Sequence, residues 1–220
     1  MVRWDGILFD LDGTLLDTSE GVLKAIDNTL GEMHLTMPAG MERTDLIGPP
    51  IYDSFRDIFH LSSREAEIAA GIFRNAYKEK YLFEAAAYDG IYGLLEFLRS
   101  ENCRMAVATN KRIDYTLMLL RHFRMEEYFD YIKGSDFENR LRKTEIIGNC
   151  AAEFGKIGID SLVMVGDTDH DFIGAGRNGI DFVGVAYGFG FRQPGRQQGI
   201  DICGSVHELK DYFRARAKGQ

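Results

Sequence analysis

Residues 6–18 read GILFDLDGTLLDT, an apolar run that stops at Asp10 and continues into an acidic segment. The run Gly6–Phe9 is short and continuous, which is typical of a strand covered on both faces of a parallel sheet. Similar apolar runs recur at residues 105–108, 162–165 and 182–186. The sequence therefore predicts several buried parallel strands.

Helix-patterned segments separate these runs, as at residues 91–100, 114–123 and 144–154. Strands that alternate with helices of this length imply right-handed βαβ units, so the predicted fold class is α/β with a doubly wound parallel sheet. Polar residues follow the apolar runs and are therefore expected at the carboxyl ends of the strands. Ligands bind at that edge of open α/β sheets.

The stretch from residue 18 to residue 83 contains no convincing buried strand and shows only helical periodicity. A helical insertion directly after the first strand suggests a second module over the strand ends. We therefore expect an α/β core domain of residues 1–16 and 85–220. The inserted all-helical domain would comprise residues 17–84.

Composition limits the classes of partner. The formal net charge of −8 argues against nucleic acid, because affinity for the phosphate backbone depends on clustered Lys and Arg. No apolar run approaches membrane-spanning length, and acidic residues come too early for a secretory signal. The three cysteines are widely spaced and form no CxxC pair, which fits a reducing cytoplasm. We expect a cytoplasmic monomer or homodimer without a membrane partner.

Two acidic clusters follow predicted strands. Asp10 and Asp12 flank a single residue, so both carboxylates can face one crevice, and Gly13 lets the backbone approach a phosphate closely. Asp167, Asp169 and Asp171 form the second cluster. Converging carboxylates repel one another unless a hard cation neutralises them, and oxygen ligands select Mg²⁺.

Polar and basic residues at other strand and helix ends complete the candidate site. Thr109 and Asn110 offer a hydroxyl and an amide after a third predicted strand. Lys143, at a predicted helix start, is the candidate cation for phosphate oxygens, and the neighbouring Arg142 is the main alternative.

These segments resemble, in order and approximate spacing, the motifs of the haloacid dehalogenase (HAD) superfamily of phosphohydrolases. The matching residues are Asp10-Leu-Asp12-Gly13-Thr14, Thr109-Asn110, Lys143, and Gly166-Asp167 with Asp171. The resemblance spans most of the core. It implies a HAD-like Rossmannoid core with an α-helical cap, and a Mg²⁺-dependent phosphatase that acts on a small phosphorylated metabolite through an aspartyl phosphate.

The resemblance also implies roles for individual residues. Asp10 would attack phosphorus, and Asp12 would protonate the leaving oxygen and then activate water. The phosphate-binding residues implied are Gly13, Thr109, Asn110 and Lys143. The magnesium ligands implied are the Asp10 carboxylate, the Asp12 carbonyl, Asp167 and, directly or through water, Asp171.

The substrate is left open by the sequence. The core resembles phosphoglycolate phosphatases most, while pyrophosphatases and nucleotide phosphatases share the cap type, and residues 46–50 resemble the substrate-facing cap loop. One alternative is a phosphomutase of the β-phosphoglucomutase kind, which would return the phosphoryl group to a sugar phosphate. Another is a catalytically silent phosphate-binding protein.

Two further patterns are misleading. Residues 174–179 match GxGxxG, but no strand is expected to run directly into these glycines, so dinucleotide binding is not expected. Residues 167–171 begin like an EF-hand loop but lack its later glycine and glutamate. Asp169 and His170 are expected to have no catalytic role. The Gly-rich stretch 187–199, with Arg192 and Arg196, is compatible with either a site-edge loop or a surface connection.

Overall fold

The computed structural model describes residues 2–41, 43–137, 141–191, 193–197 and 199–216. The chain forms two compact units, residues 1–16 with 87–220 and residues 17–86. The strands are β1 (Gly6–Phe9), β2 (Leu16–Asp17), β3 (Ala86–Ala87), β4 (Arg104–Arg112), β5 (Tyr131–Ser135), β6 (Leu162–Gly166), β7 (Asp181–Val185), β8 (Gly195–Gln197) and β9 (Ile200–Cys203). The α-helices are α1 (Ser19–Met33), α2 (Ile51–Ile58), α3 (Ser63–Ala76), α4 (Ile91–Ser100), α5 (Ile113–His122), α6 (Lys143–Glu153), α7 (Asp169–Arg177) and α8 (Val206–Ala215).

The first unit is built on a seven-stranded sheet with the order β5-β4-β1-β6-β7-β9-β8. All neighbouring strands from β5 to β9 are parallel, and only the edge strand β8 is antiparallel. The winding direction reverses between β1 and β6, which is the switch point at which doubly wound sheets bind ligands. The predicted α/β class with a doubly wound parallel sheet is confirmed.

Both faces of the central strands are buried, as their continuous apolar sequences require. Because side chains alternate along a strand, Leu8 and Met164 point to one face, and Ile7 and Val163 to the other. All four are fully buried. Leu8 and Met164 share a core with residues of α6 and α7, such as Ile147 and Ala175.

The register of the sheet brings three strand ends together. Phe9, the last residue of β1, lies beside Val107 of β4 and Val165 of β6. Residues that follow these positions therefore lie at adjacent points along the carboxyl edge of the sheet, although β4 itself continues to Arg112. The helices α6 and α7 begin near the same edge, because each right-handed crossover places a helix between successive parallel strands.

The second unit is helical: no strand occurs among its described residues from 18 to 85. Its helices α1, α2 and α3 are followed by a π-helical turn at Tyr77–Tyr81. The N-cap of α3 is Ser62, whose hydroxyl accepts the Glu65 N–H while the Glu65 carboxylate accepts the Ser62 N–H. Buried aliphatic and aromatic side chains form the core of this unit: Ala25, Ile26, Phe55, Ala66, Ala69, Ala70 and Phe73. Across the described part of the chain, no helix has the length and hydropathy needed to cross a membrane.

Candidate active site

Asp10 is the first residue beyond β1, and its backbone continues the sheet. Its N–H donates to the Val165 carbonyl at 2.9 Å. Its Oδ1 accepts the Leu11 N–H at 2.8 Å, which orients the carboxylate at the strand end. The Asp10 side chain is 11% exposed, so the carboxylate is largely removed from water.

Lys143 connects two of the carboxylates. As the first residue of α6, it places Nζ 2.8 Å from Asp10 Oδ1 and 2.6 Å from Asp171 Oδ1. The Lys143 side chain is 4% exposed, whereas Arg142 is exposed. Of the two neighbouring cations that the sequence offered, Lys143 is the one that contacts the acidic cluster.

The start of α7 and the loop after β7 hold the other two carboxylates. Asp171 Oδ2 accepts the Thr168 N–H at 3.0 Å and the Thr168 hydroxyl at 2.7 Å, which caps α7. Asp167 Oδ2 accepts the Phe189 N–H at 2.7 Å. Among the described residues, nothing donates a hydrogen bond to Asp167 Oδ1, although that atom is buried.

The cluster of Asp10, Asp167 and Asp171 is electrostatically strained. One oxygen from each lies within 4.8 Å of the others, and all three residues are buried. Burial raises the pKa of Asp10 to about 6, with Lys143 opposing and Asp171 adding to the rise. Burial, followed by the charges of Asp171 and Asp10, raises the pKa of Asp167 well above its usual range. Burial would lower the pKa of Lys143, but the two carboxylates outweigh it and the pKa is raised.

A divalent cation fits this donor set. Three ionised carboxylates and one ammonium group leave a formal charge of −2, which one divalent ion would neutralise. The buried Asp167 Oδ1 accepts no hydrogen bond from the described residues. Burying an acceptor without a partner destabilises the folded state, and a bound cation would remove this cost. Oxygen-only ligands favour Mg²⁺ over softer metals.

Thr109 and Asn110 lie inside β4 rather than beyond it, because the strand continues to Arg112. Thr109 is 1% exposed, and its hydroxyl accepts the Lys111 N–H at 3.2 Å. Asn110 is half-buried. Regular pairing of β4 with β5 extends to Ala108 and the register shifts before Arg112, so both residues lie in the irregular last part of the strand.

The first part of the Gly-rich stretch packs against the acidic residues. Gly13 has a φ of +76°, and a Cβ there would overlap the Asp167 carboxylate. A Cβ on Gly188 would overlap the Gly13 carbonyl, so only glycine permits these backbones to approach. The Tyr187 hydroxyl donates to the Thr14 carbonyl at 3.1 Å. The segment 187–191 is thus a wall of the site. Arg192 and the Arg196 side chain lie outside the described residues.

Lys111 is a site residue that was not predicted from the sequence. Its Nζ lies 2.9 Å from Asp12 Oδ1 and 3.1 Å from Asp12 Oδ2. The alternation of side chains along a strand was the available signal, because a residue two positions after Thr109 shares its face.

The misleading patterns have ordinary structural explanations. Gly174 and Gly176 lie within α7, and Gly179 follows the helix with a φ of +69°. A helix-ending glycine of this kind is not a phosphate-binding turn after a strand. Asp169 and His170 are exposed in the first turn of α7.

Comparison with known proteins identifies the family. The family model described as haloacid dehalogenase-like hydrolase matches residues 7–185, which is most of the chain. The chain belongs to the haloacid dehalogenase-like hydrolase family. The match extends from β1 to β7 and includes every candidate site residue given above up to Asp171.

Relatives of this HAD-like hydrolase are named as phosphate-handling enzymes. A 5'-nucleotidase from Pseudomonas aeruginosa is 34% identical over 216 residues, 97% of each chain. The tyrosine-protein kinase PtkA of Mycobacterium tuberculosis is 35% identical over 84% of this chain, which spans 62% of that protein. A solved structure of a predicted phosphatase from Clostridium acetobutylicum superposes with a TM-score of 0.88 at 34% identity, covering 96% of this chain and 99% of that one. The protein is a HAD-like phosphatase.

Proposed function

We propose that this HAD-like phosphatase is Mg²⁺-dependent and hydrolyses a small phosphorylated metabolite through a phosphoryl group carried on Asp10. The observation that carries the proposal is the buried cluster in which Lys143 contacts both Asp10 and Asp171 while Asp167 lies beside them. Burying three carboxylates is costly, and folding alone does not require them to converge.

The first chemical step is the transfer of the phosphoryl group to Asp10. An ionised Asp10 oxygen forms a bond to phosphorus as the bond to the leaving oxygen breaks. Asp12 donates its proton to that leaving oxygen. Lys143, together with Thr109 and Asn110, would bind the equatorial phosphoryl oxygens. The Gly13 N–H donates to the Leu16 carbonyl at 2.9 Å, so the expected phosphate contact of Gly13 would require that hydrogen bond to be exchanged.

The second step is hydrolysis of the aspartyl phosphate. Asp12, now a carboxylate, removes a proton from a water molecule that attacks phosphorus, and Asp10 leaves as a carboxylate. Phosphate is released and Asp12 is again protonated. The residues therefore return to their starting state without any further reactant.

The metal would be held by the carboxylates of Asp10 and Asp167 and by the Asp12 carbonyl, with Asp171 supporting it directly or through water. Mg²⁺, when bound, offsets the charge of the carboxylates and of the transferring phosphoryl group. The hydrogen bond from the Phe189 N–H to Asp167 Oδ2 leaves Oδ1 as the oxygen available to the ion.

The experiment is turnover of an aryl phosphate with and without Mg²⁺, together with trapping of the phosphoenzyme. We expect activity that EDTA abolishes, and an acid-stable, base-labile phosphoenzyme in the wild type that Asp10→Asn lacks. Added Mg²⁺ should also raise the thermal midpoint of the wild type more than that of Asp167→Asn, because fewer ligands remain in the variant. Undiminished turnover by Asp10→Asn would overturn the proposal.

The substrate class follows from the named relatives and is part of the proposal. Besides the 5'-nucleotidase, the relatives of this chain include proteins named pyrophosphatase and phosphoglycolate phosphatase, so nucleotides, pyrophosphate and phosphoglycolate-like acids are substrates to screen. Sugar phosphates are added because the phosphomutase alternative would act on them. Ratios of kcat/KM across the panel identify the preferred compound. A phosphomutase would instead require a sugar bisphosphate and release no net phosphate, and a silent binding protein would turn over nothing in the panel.

Location and assembly complete the proposal. A cytoplasmic location is supported by the three cysteines, which are buried thiols with no disulfide among the described residues. Either a monomer or a homodimer would have a complete catalytic cluster, because one chain supplies all its residues. Sedimentation of the purified protein would decide between them.

A further inference from the structure

Lys111 is a buried cation that the proposed reaction does not yet use. Its side chain is 7% exposed, and its ammonium group contacts both carboxylate oxygens of Asp12, which is itself 18% exposed. Burying an ammonium group is costly, so a lysine is found in such a place when a specific partner compensates for the lost hydration. The partner here is the residue assigned above as acid and base.

The sheet fixes both ends of this ion pair. Phe9 and Val107 are neighbours in the parallel register of β1 and β4, so Asp12 and Lys111 follow adjacent strand positions. Lys111 remains within β4, and its backbone N–H donates to Thr109 Oγ1. The lysine is therefore anchored on a strand, whereas Asp12 lies in the turn that contains Gly13. The ion pair thus joins a residue of β4 to a residue of the turn after β1.

We propose that Lys111 is a positioning residue: its ammonium group fixes the orientation of the Asp12 carboxylate toward the leaving oxygen. The inference rests on the proposed function, because it assumes that Asp12 transfers the proton. Lys143 already serves the Asp10 side of the cluster, and it is separate from the Lys111–Asp12 pair. Lys143 thus contacts the proposed nucleophile Asp10, and Lys111 contacts the proposed acid Asp12.

Leaving-group chemistry separates this role from direct phosphate binding. A dinitrophenolate departs readily without a proton, whereas an alkoxide needs one in the transition state. Misplacement of Asp12 should therefore slow the phosphorylation step, which kcat/KM reports, for alkyl phosphates and spare that step for dinitrophenyl phosphate, whereas hydrolysis of the aspartyl phosphate is common to both substrates. Loss of a phosphate contact would impair both substrates equally, since their phosphoryl groups are the same.

The test compares Lys111→Met with the wild type on both substrates. We expect kcat/KM on the alkyl phosphate to fall by about 10-fold to 100-fold, while kcat/KM on dinitrophenyl phosphate falls by less than about threefold. Lys111→Arg should recover part of the alkyl phosphate activity. Lys133→Met, which removes a cation from a half-exposed pair with Glu153 on the same unit, is the matched control and should match the wild type.

A double-mutant cycle tests the coupling directly. In an Asp12→Asn background, Lys111→Met should cause no further loss, because the group that Lys111 positions is already disabled. Equal fold losses in both backgrounds, an equal loss on both substrates, or no loss would overturn the proposal. Should Lys111→Met fail to fold, Lys111→Gln gives the same comparison, because it also removes the cation. An inactive wild type would instead count against the proposed function itself.

Discussion

Replacing Asp10 by asparagine is expected to stabilise the metal-free protein while abolishing its activity. The Asp10 carboxyl has a pKa of about 6 in the folded chain, against 3.8 as an isolated group, because burial penalises its charged form. Between these two pKa values the folded state holds the proton and the unfolded state releases it. Stability therefore falls as pH rises through this window and stays low above it.

The size of the effect follows from the two pKa values. The raised pKa of Asp10 lowers the free energy of unfolding by about 2 kcal/mol at pH 5 and by about 3 kcal/mol at pH 7, relative to a protein in which this pKa is the same folded and unfolded. Asparagine carries no charge at either pH and keeps an oxygen that can accept the Leu11 N–H. The free energy of unfolding of Asp10→Asn should thus exceed that of the wild type, and the difference should widen from pH 5 to pH 7.

The assay is urea denaturation in EDTA at several pH values. Trp4, the single tryptophan, is buried in the core unit and reports its unfolding by fluorescence. Asp160→Asn, the same substitution at an exposed position, should leave the free energy of unfolding nearly unchanged. The reasoning fails if Asp10→Asn is no more stable than the wild type at pH 7, or if its advantage is the same at pH 5.

Three other substitutions test separate parts of the structure. Gly188→Ala would force a methyl group against the Gly13 carbonyl and the Asp167 side chain, so the free energy of unfolding in the urea assay should fall by about 1–3 kcal/mol. Gly176→Ala is the control: its methyl group would enter open space, so the free energy of unfolding should stay the same or rise. Lys143→Met should lower kcat on the aryl phosphate by about 10²–10³-fold, because it removes the cation beside Asp10, and a kcat near the wild-type value would contradict that role. Phe55→Ala should destabilise the helical unit by about 3–5 kcal/mol, since the ring is fully buried, and calorimetry that shows no shift would refute its place in that core.

The sequence predicted the sheet because buried parallel strands leave a simple signature. An apolar run that stops at a polar residue identifies both the strand and its carboxyl end, as at Phe9 and Asp10. The sequence predicted strand ends less well where the strand extends beyond its apolar run. The strand β4 extends to Arg112, but its pairing with β5 shifts register between Ala108 and Arg112, and an apolar run does not reveal such an irregularity.

In the candidate site, the sequence predicted residues and the tertiary structure decided their contacts. The pattern of strand ends selected Asp10 and Asp167 and predicted that they would meet, because residues at the ends of neighbouring parallel strands share an edge. Lys143, at a predicted helix start, was selected by its place in the resemblance to the HAD motifs, with Arg142 as the alternative. Only the tertiary structure decided which partner each one takes. Lys143 contacts Asp10 while Arg142 is exposed, a difference that depends on where α6 begins relative to the sheet.

The segment GILFDLDGTLLDT by itself predicted a strand, the turn that follows it and the candidate nucleophile. The contacts that make this segment chemically specific come from distant parts of the chain: Lys111 beside Asp12, and the Phe189 N–H on Asp167. Such contacts join residues separated by long stretches of chain, so no local pattern encodes them. They exist because the sheet places its strands in one order and register.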